Sequence, residues 1–252
     1  MLRSKRVSES RLESRSVTSP VKTCFGSSSC GWYGAGVADL TDLEHATRLT
    51  TLVIGANQVA DLRPLAALEA LEELHAWFNR IDDLTPLARL MNLRQLHLGA
   101  NRVPDLSPLV GMRGLTHLNL ASNRVEDLTA LAGLASLQWL DLSDNEIVDL
   151  GPLSALVELR KLWLWRNRVA DASPLDGLAA LRWLDLGANE LGSVEAILGL
   201  SQLATLSFQD NYIDLTAADL VESLATLSGR GTSVRAEPLR DLGFWATSED
   251  GR

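Results

Sequence analysis

Long apolar runs are missing from this chain. Charges interrupt each hydrophobic stretch well short of the ~20 residues needed to cross a bilayer, so no membrane-spanning helix and no membrane partner are expected. The basic segment 1–15 lacks the apolar core of a secretory signal, which leads to an expectation of cytoplasmic residence. Cysteine is scarce too. Cys24 and Cys30 are the only two, too few for a disulfide framework and too few ligands for a zinc centre. Sequence signatures of catalysis are also lacking: there is no nucleophile elbow, no glycine-rich phosphate loop and no H-E-x-x-H pair. Neither catalytic residues nor a cofactor are expected.

The composition is that of a folded chain, with 46% hydrophobic and 22% charged residues. Formal charge is −9 over 252 residues, yet the first 22 carry a local balance of +4, which leaves the remainder at −13. So acidic a body repels phosphate backbones and favours a basic partner, and nucleic acid is not expected.

Internal periodicity organises everything else. Asparagines stand at Asn57, Asn79, Asn101, Asn123, Asn145, Asn167, Asn189 and Asn211, each 22 residues from the last. Around them runs L-x-x-L-x-L-x-x-N-x-V/I-x-D-L-x-P-L-x-x-L, as in Leu93, Leu96, Leu98, Asn101, Val103, Asp105, Leu106, Pro108, Leu109 and Met112. In L-x-L the leucines alternate, so they share one face of a short strand while the residues between them share the other. The second half of each unit brings the chain back with its leucines turned inward. Prolines at 64, 86, 108, 152 and 174 suit a one-turn or irregular return, because they would disrupt a longer helix from inside. One coil cannot bury its leucines alone, so coils must stack and their ends need caps.

The recurrent polar residues fit the same scheme. An amide both donates and accepts, which suits the sharp turn where the chain leaves the strand and backbone groups face the interior. Asp61, Asp83, Asp105, Asp127, Asp149 and Asp171 precede each return and are expected to cap its first turn. Both sets read as scaffold and not as chemistry.

This pattern resembles the leucine-rich repeat family, in its 22-residue class, found in bacterial internalins and in a regulatory subunit of protein phosphatase 1. The resemblance covers roughly residues 36–215. It implies an α/β solenoid: a right-handed curved coil with a parallel concave β-sheet and short 3-10 or irregular convex segments. It also implies a non-catalytic adaptor or regulatory module that binds other proteins.

Projecting the period backwards puts Ala35 at the asparagine position and Cys30 and Trp32 at strand-core positions, so 28–47 reads as a degenerate capping repeat. Cys30 then reads as a small buried residue in preference to half of a disulfide with Cys24. The repeats proper span 48–215. Over 216–231 Leu220, Val221, Leu224 and Leu227 recur at helical spacing with Thr216 as N-cap, which predicts a capping helix ended by Gly229 and Gly231. Residues 1–27 read as a disordered basic leader and 232–252 as a tail.

Function is expected where the scaffold does not repeat, on the outward strand positions six, four and two residues before each asparagine. Glu73, His117, Trp139, Lys161 and Trp183 fall in the first column, His75, His97, Asp141, Trp163 and Asp185 in the second, and Trp77 and Trp165 in the third. Five of the seven tryptophans lie in these columns and so must point away from the core. With strands ~4.8 Å apart, Trp139, Trp163, Trp165 and Trp183 are expected to form one continuous aromatic patch. Asp141 and Asp185 flank Trp163, Lys161 lies between Trp139 and Trp183, and Arg166 follows at a strand end. The arrangement suits a protein or peptide with basic and apolar groups. A solvated surface of tryptophans stacked with Lys161 and Arg166 is the plainer reading.

His75, His97 and His117 with Glu73 make a conceivable metal constellation, but His117 is displaced along its strand, and ordinary surface histidines are preferred. Tryptophan faces also stack on sugars, which keeps a carbohydrate-binding or secreted internalin-like adhesion protein as the alternative. Oligomeric state is open.

Overall fold

Alternating leucines and the 22-residue spacing produce one parallel sheet. In the computed structural model, which describes residue 24 and residues 26–236, ten three-residue strands follow one another in chain order. They are β1 (Ser29–Gly31), β2 (Thr51–Val53), β3 (Glu73–His75), β4 (Gln95–His97), β5 (His117–Asn119), β6 (Trp139–Asp141), β7 (Lys161–Trp163), β8 (Trp183–Asp185), β9 (Thr205–Ser207) and β10 (Ser233–Arg235). Each pairs only with its chain neighbours. The register stacks the central residues Cys30, Leu52, Leu74, Leu96, Leu118, Leu140, Leu162, Leu184, Leu206 and Val234 in one row. Leu52 to Leu206 in that row are fully buried, while the residues on either side of them are mostly half-exposed. Strand backbones thus sort side chains to two faces, and the open, curved sheet presents the second face to solvent.

Opposite the sheet, single 3-10 turns carry the chain back. Five of them, Arg63–Leu65, Thr85–Leu87, Ser107–Leu109, Gly151–Leu153 and Ser173–Leu175, hold proline near their start, where its missing N–H and fixed φ do no harm. The predicted aspartate role is seen one residue earlier than a formal N-cap. Asp61, Asp83, Asp105, Asp127, Asp149 and Asp171 each accept, through Oδ1, the N–H two residues on, at 2.7–2.9 Å. The side chains of Arg63, Thr85 and Thr129, followed by these N–H bonds, hold the Asp61, Asp83 and Asp127 carboxyls below the usual range, and for Asp171 the Ser173 N–H is the larger cause and its hydroxyl the second.

The asparagines stitch coil to coil. Asn145 Nδ2 donates to the carbonyls of Leu142 (3.0 Å) and Ser143 (3.1 Å) in its own coil and of Leu120 (2.9 Å) in the preceding one. Its Oδ1 accepts the Val125 N–H at 3.0 Å. The residue before each asparagine takes a left-handed conformation, from Ala56 (φ 56°) to Asp210 (φ 57°), which makes the turn that brings the amide inward.

The ends differ from expectation in five respects. Cys24 and Cys30 form a disulfide, so Cys30 is not simply a small buried residue. The turn before β1 brings the two Cα atoms to 5.4 Å, within bridging range, and buries Cys24 fully. The helix α1 is shorter than predicted, Ala218–Gly229, and Thr216 is not its N-cap. Thr216 instead belongs to a turn in which its N–H and hydroxyl both donate to Asp214 Oδ1, at 2.9 and 2.6 Å. Of the predicted apolar stripe, Leu220 and Leu227 are buried and Leu224 partly so, whereas Val221 is 51% exposed. Finally the sheet does not stop at the helix: β10 extends it, in register with β9, inside the segment expected to be a tail. The rest of the expected leader and tail, 1–23, 25 and 237–252, lies outside the described residues.

Candidate binding face

The outward strand positions bring side chains of successive coils into lateral contact, because each is displaced by one strand spacing from the next. Trp139 and Trp163 approach to 4.9 Å between ring centroids, and Trp163 and Trp183 to 6.0 Å. Toward the amino terminus the rings continue. His97 lies 5.9 Å from Trp139, His75 stacks on His97 at 4.7 Å, Trp77 meets His75 edge-on at 5.5 Å, and Tyr33 lies 6.2 Å from Trp77. His117 joins from the side, 6.4 Å from Trp139. One aromatic file therefore crosses the sheet from the first coil to β8.

Trp165 is the correction to the predicted four-tryptophan patch. Among the described residues it touches no other ring. It leans over Gly187, whose missing Cβ would stand 2.9 Å from Trp165 Cδ1, and the Arg166 guanidinium sits 5.1 Å from the centre of its ring. Arg166 also lies 3.6 Å from Asp144. Trp165 is thus occupied by its own neighbours. Lys161 lies between Trp139 and Trp183 in register as expected, is exposed, and makes no ring contact or ion pair among the described residues, so the plainer reading of a stacked surface is seen for Arg166 but not for Lys161.

Tyr33 and Phe78, 68% and 65% exposed, were not singled out from the sequence. The signal for Tyr33 was there, since it stands two places before Ala35, in the third column once the period is projected back. Glycine completes that corner: Gly55 lies between Tyr33 and Trp77, and a Cβ on it would meet Trp77 Cε2 at 2.7 Å.

Electrostatics divide the face in two. Burial is the main cause that drives His97 down to about 4, with His75 and His117 adding to it, and His117 is also lowered by burial and by Lys161. The His97 and His117 imidazoles therefore stay neutral near pH 7 and behave as flat, weakly polar rings. Burial raises the Asp141 carboxyl, against the stabilising bond from the Ser143 N–H at 3.0 Å, and the Asp185 charge raises it further. Asp185 Oδ1 accepts the Gly187 N–H at 3.0 Å in the same manner, and Asn119 Oδ1 that of Ala121. Trp183 Nε1 is buried with no hydrogen-bond partner.

His75, His97, His117 and Glu73 do not converge as metal ligands: the two stacked rings lie 11° from parallel, and Glu73 instead sits 3.8 Å from His75 Nε2. Asp42, Glu44 and His45, at the return turn of the first coil, are the one group among the described residues with three ligand atoms within 4.8 Å of one another. No helix among the described residues is long and apolar enough to cross a membrane.

A stack of in-register coils with an asparagine ladder and an outward file of variable residues defines a repeat scaffold for binding. Residues 91–147 match the leucine-rich repeat family, and 135–177 match a two-copy leucine-rich repeat unit. Internalin C2 of Listeria monocytogenes is similar in structure, with 26% identity and a TM-score of 0.67 over 86% of this chain and 83% of that one. A leucine-rich-repeat protein of Leptospira interrogans is 25% identical with a TM-score of 0.70, over 76% of this chain but 50% of its own length. The TLR13 chain of a TLR13–ssRNA13 complex is 25% identical with a TM-score of 0.60, over 75% of this chain and 29% of that one. No curated protein matches the chain. Residues 91–177 are thus leucine-rich repeats, and the chain is similar in fold to the internalins.

Proposed function

We propose that the chain is a non-catalytic binding module whose concave aromatic file receives a protein or peptide partner, in an adaptor or regulatory role. The observation that carries this reading is the unbroken contact of Trp139, Trp163 and Trp183 on the solvent face of a sheet. Three indoles left partly exposed side by side are unfavourable in water unless something covers them, and tryptophan is enriched among residues that dominate interface energies. The acidic balance of the chain supports a basic partner over nucleic acid. Leucine-rich-repeat folds are generally binding scaffolds, which agrees with a role outside catalysis.

Sugar binding is the second reading, favoured by the same indoles. Capture of proteins and binding to a glycan array, each measured on the wild type and on Trp163→Ala, separate the two. Loss of specific protein capture supports the proposal. Unchanged protein capture with loss of glycan binding overturns it.

The disulfide between Cys24 and Cys30 weighs against the cytoplasmic residence expected from the sequence. Such bonds persist in oxidising compartments and are rare in the reducing cytosol, so we place the protein in an oxidising compartment.

A further inference from the structure

We infer that Trp163 and the two carboxylates beside it form a receptor for an arginine side chain of the protein partner. This deepens the proposed function and rests on the concave face being the binding surface. Register places Asp141, Trp163 and Asp185 side by side on β6, β7 and β8. With strands ~4.8 Å apart, the Asp141 and Asp185 backbones stand roughly 9.6 Å from each other with that of Trp163 between them. A guanidinium over that indole lies within reach of both.

Each carboxylate has one oxygen committed and one to spare. Oδ1 of Asp141 holds the Ser143 N–H and Oδ1 of Asp185 holds the Gly187 N–H, both at 3.0 Å, which fixes the side chains in place. Asp141 Oδ2 receives only a long 3.5 Å contact from Asn119 Nδ2, and Asp185 Oδ2 accepts no hydrogen bond among the described residues. No cation among the described residues pairs with either group. The ion pairs among the described residues leave out Asp141, Asp185 and Lys161 alike.

The walls select the cation. Trp139 and Trp183 tilt against Trp163 by 52° and 36°, forming a shallow aromatic trough around the indole face. A guanidinium is flat and weakly hydrated, stacks on indole and donates in a fork that matches carboxylate oxygens, whereas an ammonium is a compact, strongly hydrated point charge. Arginine is therefore favoured over lysine. The chain supplies its own precedent a few residues on, where Arg166 lies over Trp165 and beside Asp144.

The test screens an array of random heptapeptides against the wild type and the Asp141→Asn/Asp185→Asn variant. Asparagine keeps the Oδ1 acceptor, as Asn119 does for the Ala121 N–H at 3.0 Å, so the variant folds while the charges are removed. The expected result is enrichment of arginine by tenfold or more over citrulline and at least severalfold over lysine, abolished in the variant while preference for apolar neighbours persists. Apolar peptides bound with no arginine preference, or with lysine preferred equally, overturn the receptor but leave the binding face standing. Retention of no peptide, with glycans bound instead, overturns both.

Discussion

His75 and His97 stack face to face across β3 and β4, their centroids 4.7 Å apart and their planes 11° from parallel. This pair joins two aromatic groups that would otherwise be separate: Tyr33 and Trp77 on one side, Trp139, Trp163 and Trp183 on the other. Stacking requires that the rings not both be charged, and the depressed His97 supplies that condition.

The depression makes stability depend on pH. An unfolded imidazole titrates near 6.5 and folded His97 near about 4, so as pH falls the unfolded chain takes up the proton first. The stabilisation is complete above 6.5, is lost as pH drops toward 4 and changes no further below that. The loss is on the order of 2 kcal/mol once partial exposure is allowed for. Urea unfolding across this range is expected to show a steeper slope in the wild type than in His97→Phe, which keeps only the smaller contribution of the depressed His117.

Gly55→Ala is expected to push Trp77 away from Tyr33, because the new Cβ falls within 2.7 Å of the indole. Overpacking of this kind costs about 1–3 kcal/mol. Gly133→Ala, where nothing lies within 4 Å, is the matched control and is expected to be neutral or slightly stabilising. Thermal melts of the two variants compare the effects directly, and equal melts contradict the close approach.

Asn145→Ala leaves the Val125 N–H without its acceptor at a buried turn, and takes one of two donors from each of the Leu120, Leu142 and Ser143 carbonyls, which keep Asn123, Asn167 and the Ser122 N–H. About 1–3 kcal/mol of destabilisation is expected, the cost of one buried group left unpaired. Hydrogen exchange at Val125 reads the local consequence: its protection should fall before that of Leu118 on β5. Unchanged protection at Val125 contradicts the coil-to-coil role.

Titration of denatured, unreduced protein from its native cell with a thiol reagent should find no free cysteine. Two reactive thiols would contradict the disulfide and the compartment inferred from it. Cys24→Ser/Cys30→Ser should loosen β1 by about 2 kcal/mol, the closure entropy of so short a loop.

The scaffold was legible in the sequence because every coil repeats the same solution. Leu96, Asn101, Asp105 and Leu109 carry one instruction that recurs every 22 residues, and repetition averages out local ambiguity. The ends were harder to read, since each occurs once: β10 follows a helix that breaks the period, and the Cys24–Cys30 pair depends on a turn no repeat specifies. On the concave face, column membership placed Trp139, Trp163 and Trp183 correctly but not the lean of Trp165 toward Gly187. Side-chain direction there is decided by where a neighbouring coil leaves room, a property of two coils together.

Titration calorimetry of a protein captured by the wild type, against wild type and Trp139→Ala/Trp163→Ala, tests the central claim most directly. The account predicts a loss of at least about 30-fold in affinity, corresponding to the ~2 kcal/mol typical of an interface hot spot, with an unchanged circular dichroism spectrum. Undiminished affinity in the correctly folded variant would contradict it.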